Sequence, residues 1–297
     1  MPTLHDPVLL REVLFFLNPQ PNQNFIDCTF GGGGHALAIL EKVLPAGKVV
    51  GIDWDRNAIQ TSASANLILV NDNYKNLKQI INKITDEHGP LQYSGILLDL
   101  GLSSDQLGAG SRGFSFQDQG FLDLRFNMDS GGITAAEILK TFRKDDIIRI
   151  LKEYGEEPLA TPIAKKIIAY RESGRAIETA EMLVQLVSEV YQSHFQSASR
   201  KNPATRTFQA LRIAVNDEYG NINAVLPQAV DSLAAGGRLA VITFHSGEDR
   251  LVKRFFKLQE ELGRIKILTK KPVEPAETEI HRNPRSRSAK LRVAERI

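Results

Sequence analysis

One cysteine, Cys28, stands in 297 residues, so a disulfide framework is excluded. The histidines (His5, His35, His88, His194, His245 and His281) are scattered, and no Cys/His cluster has zinc-like spacing, so no metal is expected. No stretch approaches the roughly 20 apolar residues of a membrane span. The opening MPTLHDPVLLREVLFFL carries acids and a helical apolar spacing, not the basic start and long apolar core of a leader peptide. Repeats and low-complexity tracts are also missing. The expectation is a soluble, cytoplasmic protein with no membrane partner.

Net charge is small, +2, but unevenly spread. The tail HRNPRSRSAKLRVAERI (281–297) holds Arg282, Arg285, Arg287, Lys290, Arg292 and Arg296 against Glu295, and SRKNPATRTFQALR (199–212) holds Arg200, Lys201, Arg206 and Arg212 with no acid. The rest of the chain is therefore net acidic. Basic patches on an acidic body suit a polyanion such as RNA, and equally suit two solvated surface stretches.

Residues 24–100 alternate strand and helix signals. NFIDCTF (24–30), KVVGIDW (48–54), NLILVND (66–72) and YSGILLDLG (93–101) read as strands, with helices predicted over 35–44, 56–64 and 75–87. Continuous apolar strands separated by helices predict a doubly wound α/β sheet that is mainly parallel and covered on both faces. From 133 to about 195 the pattern is helical: Thr134-Ala-Ala-Glu137 opens a helix as a capping box. Leu183, Leu186, Val187, Val190 and Tyr191 form an amphipathic packing stripe. The α/β pattern then returns, with a helix near 208–234, strand 238–245, helix 248–260, and IKILTK and AKLRVAERI as closing strands. The helical block thus reads as an insertion (106–212) in a sheet domain made of 1–105 and 213–297.

Four glycines, Gly31 to Gly34, follow the first strand. Glycine costs roughly 0.5–1 kcal/mol relative to alanine inside regular structure, so a run of them serves a ligand that approaches the main chain. Gly31-x-Gly33-x-x-Ala36 fits a dinucleotide fingerprint, and Asp53 ends the second strand where a ribose-binding acid belongs. NAD and S-adenosylmethionine both satisfy this pattern. No Gly-Lys-Ser/Thr follows, which excludes a P-loop. Asp99 ends an apolar strand where the sheet edge meets the cofactor; a transferase handling a sulfonium or an amine gains from that anion. Asp53, Asp99 and Ser246 each have a plainer reading as helix caps, as does Asp55. His245 lies on the same sheet edge and is a second catalytic candidate. In RGFSF (112–116) the aromatic rings, Phe114 among them, either stack on an extruded base or anchor the loop.

Taken in order, HDPVLLREV, IDCTFGGGGH, LLDLGLSSDQL, RGFSF, NPATRTFQALRIAVNDE, GGRLAVITFHSGEDRLVKRF and NPRSRSAKLRVAER span nearly the whole chain. Together they resemble the bacterial methyltransferases that modify N4 of a cytidine in small-subunit (16S) ribosomal RNA. The resemblance implies a Rossmann-like methyltransferase sheet with a helical insertion that recognises RNA, and S-adenosylmethionine as cofactor. It also implies 16S ribosomal RNA, within the 30S subunit, as partner. It carries cofactor contacts onto Gly33, Gly34, His35, Asp53, Tyr74, Asp99 and Gln106. Tyr74 stands where relatives often have Phe, and an adenine-stacking role survives that change. Asp99, with a nearby backbone carbonyl, is the expected acceptor for the target amine. Phe114, Arg206, Arg285 and Arg287 are the RNA-binding candidates. An NAD-dependent oxidoreductase would leave both basic patches unexplained, and a non-catalytic RNA-binding or assembly protein would leave the cofactor loop unexplained.

Overall fold

A strand apolar on both sides must be covered on both, and the chain supplies helices for each face. The computed structural model describes residues 7–60, 64–101, 112–116, 120–195 and 202–297. It divides into two compact units, Met1–Ser103 with Tyr219–Ile297, and Ser104–Glu218.

In the first unit, seven strands form one sheet among the described residues: β1 (Asn24–Asp27), β2 (Val49–Asp53), β3 (Leu67–Asn71), β4 (Tyr93–Asp99), β5 (Leu233–Thr243), β6 (Ile265–Ile267) and β7 (Lys290–Arg296). Their spatial order is β3-β2-β1-β4-β5-β7-β6. The first five run parallel, and β7 pairs antiparallel with both β5 and β6. The reversal of order at β1 and β4 opens a crevice at the carboxyl ends of the strands, where ligands of such sheets bind.

One face is covered by α1 (Leu10–Leu17) and α2 (Gly34–Val43), which bury Val13, Leu17, Ala36 and Ile39 against Phe25, Val49, Leu97 and Ile242. The other is covered by α3 (Leu77–His88), the helix Glu218–Ser232 and the helix Ser246–Glu261; there Leu77, Ile80, Val225, Leu226, Val252 and Phe256 pack on Ile26, Val50, Ile96 and Val241. Both cores follow from the unbroken apolar strands.

The second unit contains α4 (Ala135–Thr141), α5 (Lys144–Glu153), α6 (Ala160–Glu172), α7 (Ala180–His194) and α8 (Thr205–Asn216). Thr134 and Glu137 form the predicted capping box. Leu183, Leu186, Val187 and Val190 are buried, so their stripe is packing. Gly174, at φ 79°, ends α6 in the left-handed conformation that suits glycine.

Two predicted elements differ. The helix expected over 208–234 is broken: Asp217, at φ 49° and ψ 44°, ends α8, and α9 (Glu218–Ser232) starts afresh. Apolar periodicity continues through 217, and only the local backbone turn separates the two. The helix expected over 56–64 is a single tight turn, Arg56–Gln60, whose Asp55 carboxylate accepts the Asn57 N–H at 3.0 Å. The remaining helices are α10 (Ser246–Glu261) and α11 (Glu277–Arg282). No helix among the described residues is long and apolar enough to cross a membrane.

Candidate functional site

The glycine loop joins β1 to α2 at the carboxyl edge of the sheet. Gly33 takes φ 78° as the residue preceding α2, and its N–H donates to the Phe30 carbonyl at 2.7 Å. A Cβ there would meet the Phe30 ring at 2.8 Å, so conformation and close packing both demand glycine. Gly33 has no side chain to cap α2, the Asp27 carboxyl group takes the Ala36 N–H of the first turn, and the amino end of the helix suits a negatively charged ligand group. Gly34 is its first residue and lies against Pro7.

Asp53 ends β2 and braces this loop. Its Oδ2 accepts the Gly31 N–H and its Oδ1 the Asp55 N–H, both at 2.8 Å. Burial pushes its carboxyl up to about 6, and those two hydrogen bonds work against the rise. The cap reading and the ligand reading of Asp53 are compatible: the backbone N–H groups of Gly31, Asp55 and Trp54 use three of the carboxylate's roughly four acceptor positions, which leaves one for a hydroxyl. Tyr74 opens a short turn after β3 and packs on the face shared by α3 and α9.

Asp99 ends β4, next to β1. Its backbone N–H donates to Thr29 Oγ1 at 2.7 Å, and Thr29 in turn donates its hydroxyl to Asp27 Oδ1 at 3.3 Å. Asp99 Oδ1 is buried with no hydrogen-bond partner among the described residues. Burial, then the charges of Asp27 and Glu248, push this carboxyl up to about 8. Asp27 is fully buried and pushed up to about 7 by that burial, against hydrogen bonds from the backbone and hydroxyl of Thr29. His35 is buried in the first turn of α2. Its Nε2 donates to the Val8 carbonyl at 2.9 Å, which turns Nδ1 toward Asp99 Oδ2 at 3.7 Å.

His245 is the residue before α10, and it, not Ser246, caps that helix. Nδ1 accepts the Glu248 N–H at 3.3 Å, while Glu248 Oε2 accepts the N–H of Phe244 at 2.8 Å and of His245 at 3.3 Å. Sequence spacing favours the serine because hydroxyls are the commoner caps; here the imidazole occupies the position.

The sheet edge therefore carries Asp53, Asp27 and Asp99 on neighbouring strands β2, β1 and β4, with Glu248 beyond β5. Asp27, Thr29 and Glu248 surround Asp99 and are not singled out by the sequence reading. Asp27 carries the same signal as Asp53 and Asp99, an acid closing an apolar strand, and that rule applied evenly finds it.

Gln106 lies outside the described residues. Phe114, in the second unit, is buried: it stacks on Phe126 with centroids 5.9 Å apart, and the Arg112 guanidinium lies 5.4 Å from its ring centre. That is the anchoring arrangement. Arg206 is exposed in the first turn of α8, and Arg285 and Arg287 are exposed in a short turn after α11. The basic tail is less free than its composition suggests. Arg292 is buried and pairs with Asp249 at 2.6 and 3.0 Å, and Arg296 donates to the Asp231 and Leu233 carbonyls. In the other basic segment Arg212 pairs with Glu218 at 2.7 Å.

Residues 2–297 match the model of the MraW methylase family. The chain is 45% identical over 316 residues to a protein of Thermomicrobium roseum named ribosomal RNA small subunit methyltransferase H, covering 99% of this chain and 94% of that one. Its identity to the protein of the same name from Heliobacterium mobile is 42% over 317 residues, covering 99% of both. A third, from Solidesulfovibrio magneticus, is 41% identical over 312 residues, covering 99% of this chain and 96% of the relative.

Proposed function

The chain belongs to the MraW methylase family, and from that membership we propose that it methylates the exocyclic N4 amine of a cytidine in 16S ribosomal RNA, with S-adenosylmethionine as donor. Relatives named for small-subunit ribosomal RNA methylation along nearly the full chain support the substrate class. The single observation that carries the chemistry is Asp99 Oδ1, a buried oxygen without a partner among the described residues at the edge of the glycine loop. An orphaned buried acceptor calls for a donor or a cation, and the proposed reactants offer both.

When bound, S-adenosylmethionine supplies an electrophilic methyl group on a cationic sulfur. Gly34 and the start of α2 would hold its amino-acid portion, and Gly33, whose own N–H is bonded to Phe30, would let that portion approach the main chain. Asp53 accepts from ribose hydroxyls, and Tyr74 stacks on adenine. Cytosine N4 is a weak nucleophile because its lone pair is shared with the ring. Asp99 orients the amine by accepting one N–H, which aligns the nitrogen and stabilises the positive charge that develops on it. Methylation would leave the amine with one proton to lose, and Asp99 is the proposed receiver. His245, engaged as a cap, is assigned a structural part.

The target must be single-stranded or flipped to reach this edge. Arg285, Arg287 and Arg206 hold phosphates, which contributes affinity without sequence choice. The helical unit serves RNA recognition, the assembled 30S subunit is the physiological partner, and the reaction takes place in the cytoplasm. Neither the oxidoreductase nor the non-catalytic reading is favoured by the family. The test is methyl transfer from labelled S-adenosylmethionine to bare 16S RNA and to 30S subunits, with the product nucleoside identified. N4-methylcytidine supports the reading, and label on another base or no transfer to either substrate overturns it.

A further inference from the structure

We propose that Asp27, tied to Asp99 through the Thr29 hydroxyl, forms with it one acidic unit that couples cofactor binding to proton release, so that the sulfonium cofactor binds with loss of a proton and its neutral-sulfur product with less. This deepens the methyl-transfer reading and rests on it.

Thr29 ties the Asp27 carboxyl group to the Asp99 backbone. A hydroxyl has one proton to give. Its oxygen is held by the Asp99 N–H at 2.7 Å, and its proton is directed to Asp27 Oδ1 at 3.3 Å, where the Thr29 N–H also donates at 3.1 Å. Asp27 and Asp99 thus close neighbouring strands at one sheet edge, and Asp99 Oδ1 is buried there without a hydrogen-bond partner among the described residues.

The surroundings are acidic from nearly every side. Asp53 acts on Asp27 from β2, Glu248 acts on Asp99 from α10, and Cys28 sits beside Asp27 on the chain leading out of β1. The first turn of α2 contributes the Ala36 N–H toward Asp27 and the His35 imidazole toward Asp99. Two imidazoles stand among these acids: His35 faces Asp99, and His245 Nε2 lies 3.1 Å from Glu248 Oε1. The buried carboxyl groups outnumber them and cannot all ionise together, so the ligand-free edge retains protons in place of a cation. Burial raises Asp27 to about 7 and Asp99 to about 8, which puts that retained proton in the neutral range.

A bound sulfonium supplies the missing positive charge and displaces the proton. After transfer the sulfur is neutral, and the reason for ionisation weakens. Rising pH therefore favours cofactor over product at the same site, by up to about tenfold in relative affinity per pH unit where a whole proton separates them.

Isothermal calorimetry on the full chain near neutral pH, repeated in buffers of different protonation enthalpy, counts the protons released. S-adenosylmethionine should release on the order of one, S-adenosylhomocysteine clearly fewer, and Asp27→Asn should bring the first value toward the second. Equal release by both ligands, or an unchanged value in folded Asp27→Asn, overturns the proposal. Carboxyl-carbon NMR of aspartate-labelled wild-type protein tests the same coupling without a variant: two aspartates titrating in the neutral range should drop in midpoint with S-adenosylmethionine and not with the product. Midpoints that stay fixed count against it. If neither ligand binds, the methyl-transfer reading itself fails, an outcome separate from binding without proton release.

Discussion

Thr29 and Asp99 are joined across β1 and β4, the threonine hydroxyl oxygen accepting the aspartate's backbone N–H at 2.7 Å. Asp99 is the last residue of β4, where the ladder runs out of carbonyl partners. The side chain of Thr29 replaces the missing acceptor and so fixes where the Asp99 carboxylate emerges. Thr29→Val keeps the shape and removes the acceptor. It should destabilise the fold by about 1–3 kcal/mol, the cost of an unpaired buried donor, while Thr29→Ser recovers most of the loss. Urea unfolding of the three proteins checks this, and equal stability of Val and Ser variants refutes it.

Asp53→Ala removes the carboxylate that holds the Gly31 and Asp55 N–H groups at 2.8 Å. Both the proposed ribose contact and the shape of the glycine loop depend on it. Affinity for S-adenosylmethionine should fall by roughly 1.5–3 kcal/mol. Unchanged affinity in a folded variant, measured by calorimetry, would show that Asp53 braces the chain and nothing else.

At Gly247, a Cβ would overlap the Tyr219 hydroxyl and lie 2.7 Å from its Cζ, so the half-buried ring must shift to admit a methyl group. Gly247→Ala should cost on the order of 1–3 kcal/mol by overpacking. Adding Tyr219→Phe removes the clashing oxygen and should return part of that loss. A double variant no more stable than the single one in thermal unfolding would place the cost in the helix backbone instead.

Much of this architecture is legible in the sequence because its signals are local and physical. Unbroken apolar strands announce a covered parallel sheet, and acids closing two of them mark Asp53 and Asp99. The break at Asp217 is not legible, since an aspartate in the left-handed conformation leaves no mark on apolar periodicity. The cap role of His245 is hidden because imidazole rarely does that work. Arg292 and Arg296 look like free cations in composition, and their partners Asp249, Asp231 and Leu233 are distant in sequence. Asp27 is legible by the rule that marks Asp53 and Asp99, and only the glycines that follow it draw attention away.

Asp99 should also make stability depend on pH. Its folded value of about 8 stands above the ordinary 3.8, so the folded chain binds more protons than the unfolded one between those values. Stability of the ligand-free protein therefore falls as pH rises through that interval, and Asp27, raised to about 7, adds to the slope. Asp99→Asn removes an ionisable group that the fold disfavours in its charged form. The variant should gain on the order of 1–3 kcal/mol over wild type at pH 8 and little or nothing at pH 4. Thermal melts across that range decide it, and a gain independent of pH would point to shape or hydrogen bonding.

Arg287 and Arg292 lie close in sequence and should behave oppositely. Arg287 is exposed in the turn after α11, so Arg287→Ala should lower RNA affinity, reduce the slope of affinity against salt by about one phosphate's worth, and leave unfolding unchanged. Arg292 is buried on β7 with both of its bonds to Asp249. Arg292→Ala leaves that carboxylate uncompensated at the start of α10, and the expected loss is roughly 3–5 kcal/mol of stability. Its RNA salt slope, measured on protein that remains folded, should match wild type. Filter binding at several salt concentrations, set beside urea unfolding, separates the two residues. A flattened salt slope in Arg292→Ala with intact stability would mean that the buried pair opens on binding and that the phosphate surface extends onto β7.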